Sequence, residues 1–306
     1  MYHYEYMGGY NIMKKKSVAL LLCTMSVVLS SCGQAANTNT GVKNSETVQE
    51  IVPKTEAVTK TESETETDDR KDGAFFGVKI EENSDSYTAD DGTEIFVGTC
   101  SYPELTGGNA EAAEKINTDI QAMKEEREAR VAEIVGYAKD DYQYRIEENE
   151  GVDTEMMGFY SYSEEDTSSV GRNDERVFSF ILNSYEYTGG EHGYGFYAGY
   201  NYDASTGERL SFTDLSEDGN AWKENILSYV EEKCKTEEYQ ELLFEEYEIC
   251  LTDAVFAEDN WFFTEDGLTI TCSPYAIGPY ASGSINFEIP YETLQEFGLK
   301  DCYLKK

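Results

Sequence analysis

A glycine-rich connection between two strand-forming runs constrains the fold of this chain most strongly. Residues 176–187 (RVFSFILNSYEY) are long and apolar enough to form a central strand. The following residues, TGGEHGYG, contain Gly189, Gly190, Gly193 and Gly195 around His192. Glycine allows positive φ angles and close backbone approach. We therefore predict a sharp turn between paired strands, with tyrosines aligned on the sheet faces.

Turn signals elsewhere predict further hairpins. Asp91 and Gly92 separate two strand-forming runs, as do Asp266 and Gly267, and such dipeptides favour two-residue hairpin connections. A longer turn is predicted at residues 205–207 (STG). Together these signals indicate a mainly antiparallel sheet.

Two regions have helical periodicity. Residues 109–137 place one apolar stripe on a predicted helix, and residues 124–130 are expected to be solvated. Residues 220–254 predict two helices with a break at 234–236. This order of elements predicts an α+β fold, divided into subdomains at residues 73–180 and 181–306. The stripe of the first helix comprises Ile116, Ile120, Met123, Val131 and Ile134.

The N-terminus has the pattern of a bacterial lipoprotein signal. Three lysines from Lys14 precede a short apolar run that ends in LSSC at Cys32. We expect translation to start at Met13, residues 1–31 to be a signal peptide, and Cys32 to carry the lipid. Residues 32–72 have few aromatic residues and predict a disordered linker. The predicted location is the extracellular face of the cell membrane of a Gram-positive bacterium.

The charge of the chain is strongly one-sided. Residues 1–31 contain three lysines and one glutamate, so the rest has 21 basic and 60 acidic residues, a net charge of −39. This argues against nucleic acid as a partner and favours cationic ligands or calcium, although acidity can also serve solubility alone. Five cysteines remain after Cys32, an odd number, so at least one cannot pair within the chain. The sequence is compatible both with disulfides and with buried free thiols. The five cysteines are Cys100, Cys234, Cys250, Cys272 and Cys302.

His192 could be a catalytic base, a metal ligand or part of the turn. No nucleophile motif such as GxSxG occurs, and the only other histidine is His3, in the predicted signal region. Zinc sites need several histidines or cysteines, and no calcium loop of EF-hand spacing is present. The sequence therefore favours an architectural role for His192, with ligand contact by the same loop as a compatible addition.

Several segments together resemble a known bacterial extracellular domain pair. They are residues 187–193 (YTGGEHG), 200–203 (YNYD), 206–215 (TGERLSFTDL), 102–105 (YPEL) and 275–291 (YAIGPYASGSINFEIPY). This combination is similar to the external part of lysozyme-sensing anti-sigma factors of the RsiV type. The same pair is found N-terminal in PdaC-like peptidoglycan deacetylases, as domains of unknown function.

The resemblance implies a wall-facing binding protein. We expect no sigma-factor control, because only a few residues precede the signal peptide, and no deacetylase domain, metal or cofactor. The implied ligands are peptidoglycan or a lysozyme-like cationic protein. A peptidoglycan hydrolase using His192 and a carboxylate, and a calcium-dependent adhesion module, are the alternatives. The candidate ligand-binding residues are Tyr187, Gly189, Gly190, His192, Tyr194, Tyr197, Tyr200, Tyr275 and Tyr280.

Overall fold

Two β-sheets and five α-helices are present in the part of the chain that the structure describes. In this computed structural model, the larger sheet has six strands in spatial order of their sequence, all antiparallel except the parallel pair β3–β4. The smaller sheet is antiparallel, in the order β7-β8-β9. The predicted α+β fold with a mainly antiparallel sheet is confirmed. The strands are β1 (Thr61–Ser63), β2 (Gly77–Thr88), β3 (Glu94–Thr106), β4 (Tyr162–Asn173), β5 (Val177–Tyr187), β6 (Tyr194–Asp203), β7 (Trp261–Phe263), β8 (Gly267–Cys272) and β9 (Ile285–Pro290).

The structure describes residues 61–63, 75–149 and 158–305. The predicted signal peptide and the predicted lipidation site at Cys32 lie outside the described residues, as does the predicted linker apart from β1. The predicted subdomain boundary at residue 180 falls inside β5, and the large sheet continues to Asp203. In the described part of the chain, no helix has both the length and the apolar character of a membrane span.

The predicted hairpins occur where the turn signals lie. The β2–β3 connection spans residues 89–93, longer than the predicted two residues, and the Ala89 amide donates to the Thr93 carbonyl across it. Gly92 in this turn has a φ of 92°. β7 and β8 pair across Thr264–Asp266. At the turn after β6, Gly207 has a φ of 72°.

The helices follow the predicted order with different lengths. Helix α1 begins after Asn109, whose side chain accepts hydrogen bonds from the backbone amides of Glu111 and Ala112, and it extends beyond the predicted end at Tyr137. The predicted break near Cys234 is confirmed, but the second part divides into a single turn and a short helix. The helices are α1 (Ala110–Glu148), α2 (Gly219–Cys234), α3 (Glu237–Gln240), α4 (Glu248–Val255) and α5 (Tyr291–Glu296).

A buried ionic band joins α1 to the large sheet. The prediction that residues 124–130 are solvated is wrong for Arg127, which lies buried 2.7 Å from Asp85 and 2.6 Å from Glu164, whereas residues 125, 126, 128 and 129 are exposed. Arg130 contacts Glu164 at 2.7 Å and Asp166 at 3.0 Å. Burial, and then the neighbouring Asp166, raise the pKa of Glu164 despite the arginines. The band separates the apolar contacts of the first half of α1 from those of its second half.

The edge of the small sheet lies directly on the large sheet. The Asn201 side-chain amide donates to the Trp261 carbonyl at 2.9 Å, and the Phe263 amide donates to the Ser179 hydroxyl at 3.1 Å. Ser179 and Asn201 are themselves hydrogen-bonded at 2.8 Å. A Cβ atom at Gly199 would lie 1.9 Å from the Trp261 carbonyl oxygen. The backbone of β7 can lie this close to β6 only because residue 199 is a glycine. The buried Ser179–Asn201 pair provides the hydrogen-bond partners for the backbone groups at the outer edge of β7.

The helices after residue 212 and the small sheet share one apolar core. Trp222 and Ile226 of α2 pack with Phe263 and Phe287 of the sheet, and all four are fully buried. The sequence is compatible with disulfides or free thiols, and in the structure the five cysteines of the described residues are all free thiols. Cys100, Cys234 and Cys272 are buried, whereas Cys250 and Cys302 are exposed.

We predict that Gly199→Ala destabilises the protein by roughly 1–3 kcal/mol, because the added methyl group forces β7 away from the large sheet. Urea unfolding measures this change. Gly136→Ala is the control, since no atom lies within 4 Å of its Cβ position on α1. It should stabilise the helix by about 0.5–1 kcal/mol. Equal effects at the two sites would contradict the close contact with β7.

We predict that Arg127→Met destabilises the protein by about 3–5 kcal/mol, because it leaves the buried Asp85 without its arginine and Glu164 with Arg130 alone. Lys115→Met is the matched control, because its ion pair with Glu208 lies at the surface, where loss of a pair changes little. Thermal and urea unfolding compare the two. A small effect of Arg127→Met would show that the buried band does not hold α1 in place.

Candidate functional site

The predicted turn between β5 and β6 has the glycine conformations that the sequence indicates. Gly189 and Gly190 have φ angles of 98° and 90°. The Tyr187 hydroxyl donates to the Gly190 carbonyl at 3.0 Å and closes the turn. Gly189 and Gly190 thus allow the backbone conformation of the turn, and the hydrogen bond from Tyr187 stabilises it.

Gly193 allows the turn to pass beneath an aromatic ring. Its amide donates to the Tyr185 hydroxyl at 3.2 Å. A Cβ atom there would lie 2.5 Å from the same hydroxyl and 2.4 Å from the Glu186 carbonyl oxygen. Any larger residue would displace Tyr185, so this glycine fixes where the ring lies.

His192 is held by aromatic and polar contacts. Its ring stacks on Tyr280, with centroids 4.0 Å apart and an angle of 17° between the planes. Its Nδ1 lies 3.0 Å from the Gly193 carbonyl oxygen, and its Nε2 lies 3.5 Å from the Tyr275 hydroxyl. Because a carbonyl only accepts, Nδ1 donates the hydrogen bond to Gly193. The ring is thus held by one backbone contact, one hydroxyl contact and one stacked ring.

The segment after β8 brings two more tyrosines to the turn. Tyr275 has a φ of 68°, a conformation that is costly for a residue with a side chain. Its amide donates to the Gly278 carbonyl at 3.1 Å. Its ring lies 5.7 Å from that of Tyr280. Gly278 is packed against the Leu242 carbonyl, where a Cβ atom would lie at 2.2 Å.

These contacts define an aromatic surface made of Tyr185, His192, Tyr275 and Tyr280. Tyr275 is 45% exposed and Tyr185 is 36% exposed. Three of the four are predicted ligand-binding residues, and Tyr185 is not among those predicted. The signal for Tyr185 was available, because it lies two residues before Tyr187 and therefore on the same face of β5.

Three predicted tyrosines lie elsewhere. Tyr194 is exposed on the sheet face that packs against α1, opposite Glu186 in β5. Tyr200 is half-buried and stacks on Phe180 at 4.9 Å. Burial raises the pKa of Tyr200 to about 12. Tyr197 lies on the same face as Tyr185, one diagonal position away, and is 37% exposed.

The aromatic surface presents ring faces and hydroxyl groups but little acid–base chemistry. No carboxylate of the described residues is hydrogen-bonded to His192, so the orienting partner of a catalytic triad is missing from its contacts. Within the same ranges, no group of three metal-ligating side chains lies together. The arrangement is suited to stacking against a flat or cationic ligand.

A groove of about 480 Å³ lies apart from this surface, between the end of β3 and the first turns of α1. Its floor includes Leu105 and Asn117. The Asn117 side chain donates to the Leu105 carbonyl and accepts from the Leu105 amide, both at 2.9 Å. The Asn117 side-chain amide thus links α1 to the end of β3, and its hydrogen-bonding groups are used within the protein.

Comparison with known proteins confirms the resemblance on which the sequence analysis relied. Residues 90–194 match the family model described as deacetylase PdaC, and residues 213–292 match the family of unknown function DUF3298. The chain therefore contains a PdaC-like segment followed by a DUF3298 segment. No curated protein is significantly similar to the chain in sequence.

Two solved structures of DUF3298 family proteins match the chain. One, from Bacteroides fragilis, is 20% identical with a TM-score of 0.52 and covers 74% of this chain and 96% of its own. The other, from Pseudomonas aeruginosa, is 12% identical with a TM-score of 0.47 and covers 82% of this chain and 98% of its own. The aromatic surface combines both matched segments, because His192 belongs to the first and Tyr275 and Tyr280 to the second.

We predict that His192 and Tyr280 stabilise the fold jointly by about 1 kcal/mol, the usual size of an aromatic pair. A double-mutant cycle with His192→Ala and Tyr280→Ala, read by urea unfolding, measures this coupling. His192→Phe keeps the stack and should lose less stability than His192→Ala. Strictly additive single effects would show that the stack contributes nothing.

Proposed function

We propose that this protein is a non-enzymatic surface lipoprotein whose folded part binds a ligand of the cell envelope through the aromatic surface. Anchorage by Cys32 at the extracellular face of the membrane is part of the proposal. The observation that carries it is the fixed array of exposed rings around His192, built from two matched segments. Exposed aromatic residues in rigid positions are typical of binding surfaces.

Binding explains the contacts of His192 better than catalysis. A general base needs a free nitrogen near a reacting group and a partner that orients the ring. Here one nitrogen donates to the Gly193 carbonyl and the other faces the Tyr275 hydroxyl. The strained φ of Tyr275 is consistent with a position that is held for ligand contact.

Two ligand classes are supported by different features. The ring faces of Tyr275 and Tyr280 suit the sugar rings of peptidoglycan, which offer flat apolar faces of similar size. The net charge of −37 instead favours a lysozyme-like cationic protein, because opposite charge speeds encounter. The resemblance to wall-facing domains supports both, and nucleic acid does not fit the charge.

A hydrolase that acts on peptidoglycan is the alternative function. The matching family model carries the name of a deacetylase, and this is the feature that favours an enzyme. Turnover of purified sacculi by the wild-type protein, abolished by His192→Ala and not restored by His192→Phe, would replace the binding proposal with this one.

We predict that Tyr275→Ala and Tyr280→Ala each weaken ligand binding by about tenfold or more, the usual effect of removing a central aromatic contact. Binding of the purified protein to lysozyme and to sacculus fragments is measured at low and high salt. Tyr144→Ala is the control, because that tyrosine is 57% exposed on α1 and bonded to Glu148.

The outcomes separate the ligand classes. Loss of lysozyme binding in the surface variants alone supports a specific protein ligand, provided that a charge-matched cationic protein does not bind. Loss of sacculus binding alone supports a glycan ligand. Equal loss in Tyr144→Ala, or no binding to either ligand, would contradict the proposed function.

A further inference from the structure

Strand β6 is the last strand of the large sheet, and the second half of its outer edge is covered. The Gly199 amide donates to the Asp259 carbonyl at 2.6 Å, and the Leu210 amide donates to the Asn201 carbonyl at 2.8 Å. The Asp203 amide donates to the Glu208 carbonyl at 3.0 Å. These bonds show that odd-numbered residues of β6 direct their amide and carbonyl groups away from β5.

The first half of the same edge is open. Because β6 pairs with β5 in unbroken register, Gly195 and Tyr197 also direct their backbone groups outward. No backbone hydrogen bond from the described residues reaches these groups. The sequence YGFYAG at residues 194–199 has no proline, lysine or bulge, the features that normally protect an edge strand.

Exposed aromatic side chains lie on both faces of this open edge. Tyr194 is 47% exposed and Phe196 is 37% exposed, and both lie on the face of α1. Tyr197 is 37% exposed on the opposite face. An added strand would therefore gain apolar contacts above and below its backbone, as in peptide recognition by strand addition.

We propose that the open edge of β6 at residues 194–198 binds an extended cationic peptide segment, which adds as a seventh strand to the large sheet. The site borders the aromatic surface, because Gly195 pairs with Tyr185, but it is made of backbone groups and therefore goes beyond the proposed function. The peptide could belong to any basic polypeptide that presents an extended segment.

The charge distribution selects a cationic occupant. Glu186 lies opposite Tyr194 on β5, and Glu191 is exposed in the turn that leads into β6. The chain carries a formal net charge of −37, so two copies would repel each other across a shared edge. A basic segment, in contrast, would be attracted and would pair with the free backbone groups.

The test uses the full chain and a fluorescent octapeptide of alternating lysine and valine. Its control is the same peptide with every backbone amide methylated, which keeps charge and side chains but cannot form a paired strand. Fluorescence anisotropy should show binding of the first peptide and at least about tenfold weaker binding of the second, since several backbone hydrogen bonds are lost.

Two substitutions of Tyr197 distinguish the contribution of its backbone amide to peptide binding from the contribution of its side chain. Tyr197→Pro removes an outward amide that the β5–β6 pairing does not use, and proline is tolerated at such edge positions. We predict about tenfold weaker peptide binding for Tyr197→Pro and at most about threefold weaker binding for Tyr197→Ala. Tyr275→Ala should leave peptide binding unchanged, which keeps this result independent of the aromatic surface.

Hydrogen exchange of backbone amides in the wild-type protein tests the same proposal without a variant, so it also serves if Tyr197→Pro does not fold. Peptide addition should slow exchange of the Gly195 and Tyr197 amides, measured by NMR. Unchanged exchange, equal binding of the methylated peptide, or equal binding by folded Tyr197→Pro would overturn the proposal. A dimer that forms through this edge, detected by sedimentation and abolished by Tyr197→Pro, would also overturn it in favour of a second copy.

Discussion

The docking of β7 on the large sheet is the constraint on which the candidate site depends. An edge strand carries backbone groups that must be satisfied when it is buried. Here Ser179 and Asn201, both buried, supply those bonds to Trp261 and Phe263. Because β7 leads through β8 into the segment that carries Tyr275, this contact brings a distant part of the chain to the β5–β6 turn. The aromatic surface is thus a consequence of how the two sheets meet.

The buried ionic band sets a second constraint, on the position of α1. An apolar helix face alone could shift along a sheet with little loss, since similar side chains replace one another. Arg127 between Asp85 and Glu164 permits one position, because any shift would leave charges unpaired in the core. The Tyr102 hydroxyl and the Ser184 hydroxyl both donate to the adjacent Asp166. We infer that this band contributes more to specificity of packing than to stability.

Local signals predicted local structure well, and long-range contacts poorly. The hairpin at Gly92, the start of α1 and the glycine turn followed from residue types that act within a few positions. The burial of Arg127 could not be predicted, because its partners lie on β2 and β4, far away in sequence. For the same reason the sequence grouped Tyr200 with the exposed tyrosines, although Phe180 and the sheet cover it. The pairing of His192 with Tyr280 likewise depends on the docking of β7.

Rigidity and charge have different consequences for recognition by such a surface. Rings that already stack and share hydrogen bonds lose little conformational freedom when a ligand binds, so more of the contact energy becomes affinity. His192 is fixed by three neighbours, and its contacts involve no charged group. The acidic surface acts over longer distances and is weakened by salt. In the proposed binding mode, specificity comes from the rings and the strand edge, whereas the net charge mainly sets which ligands arrive and how fast.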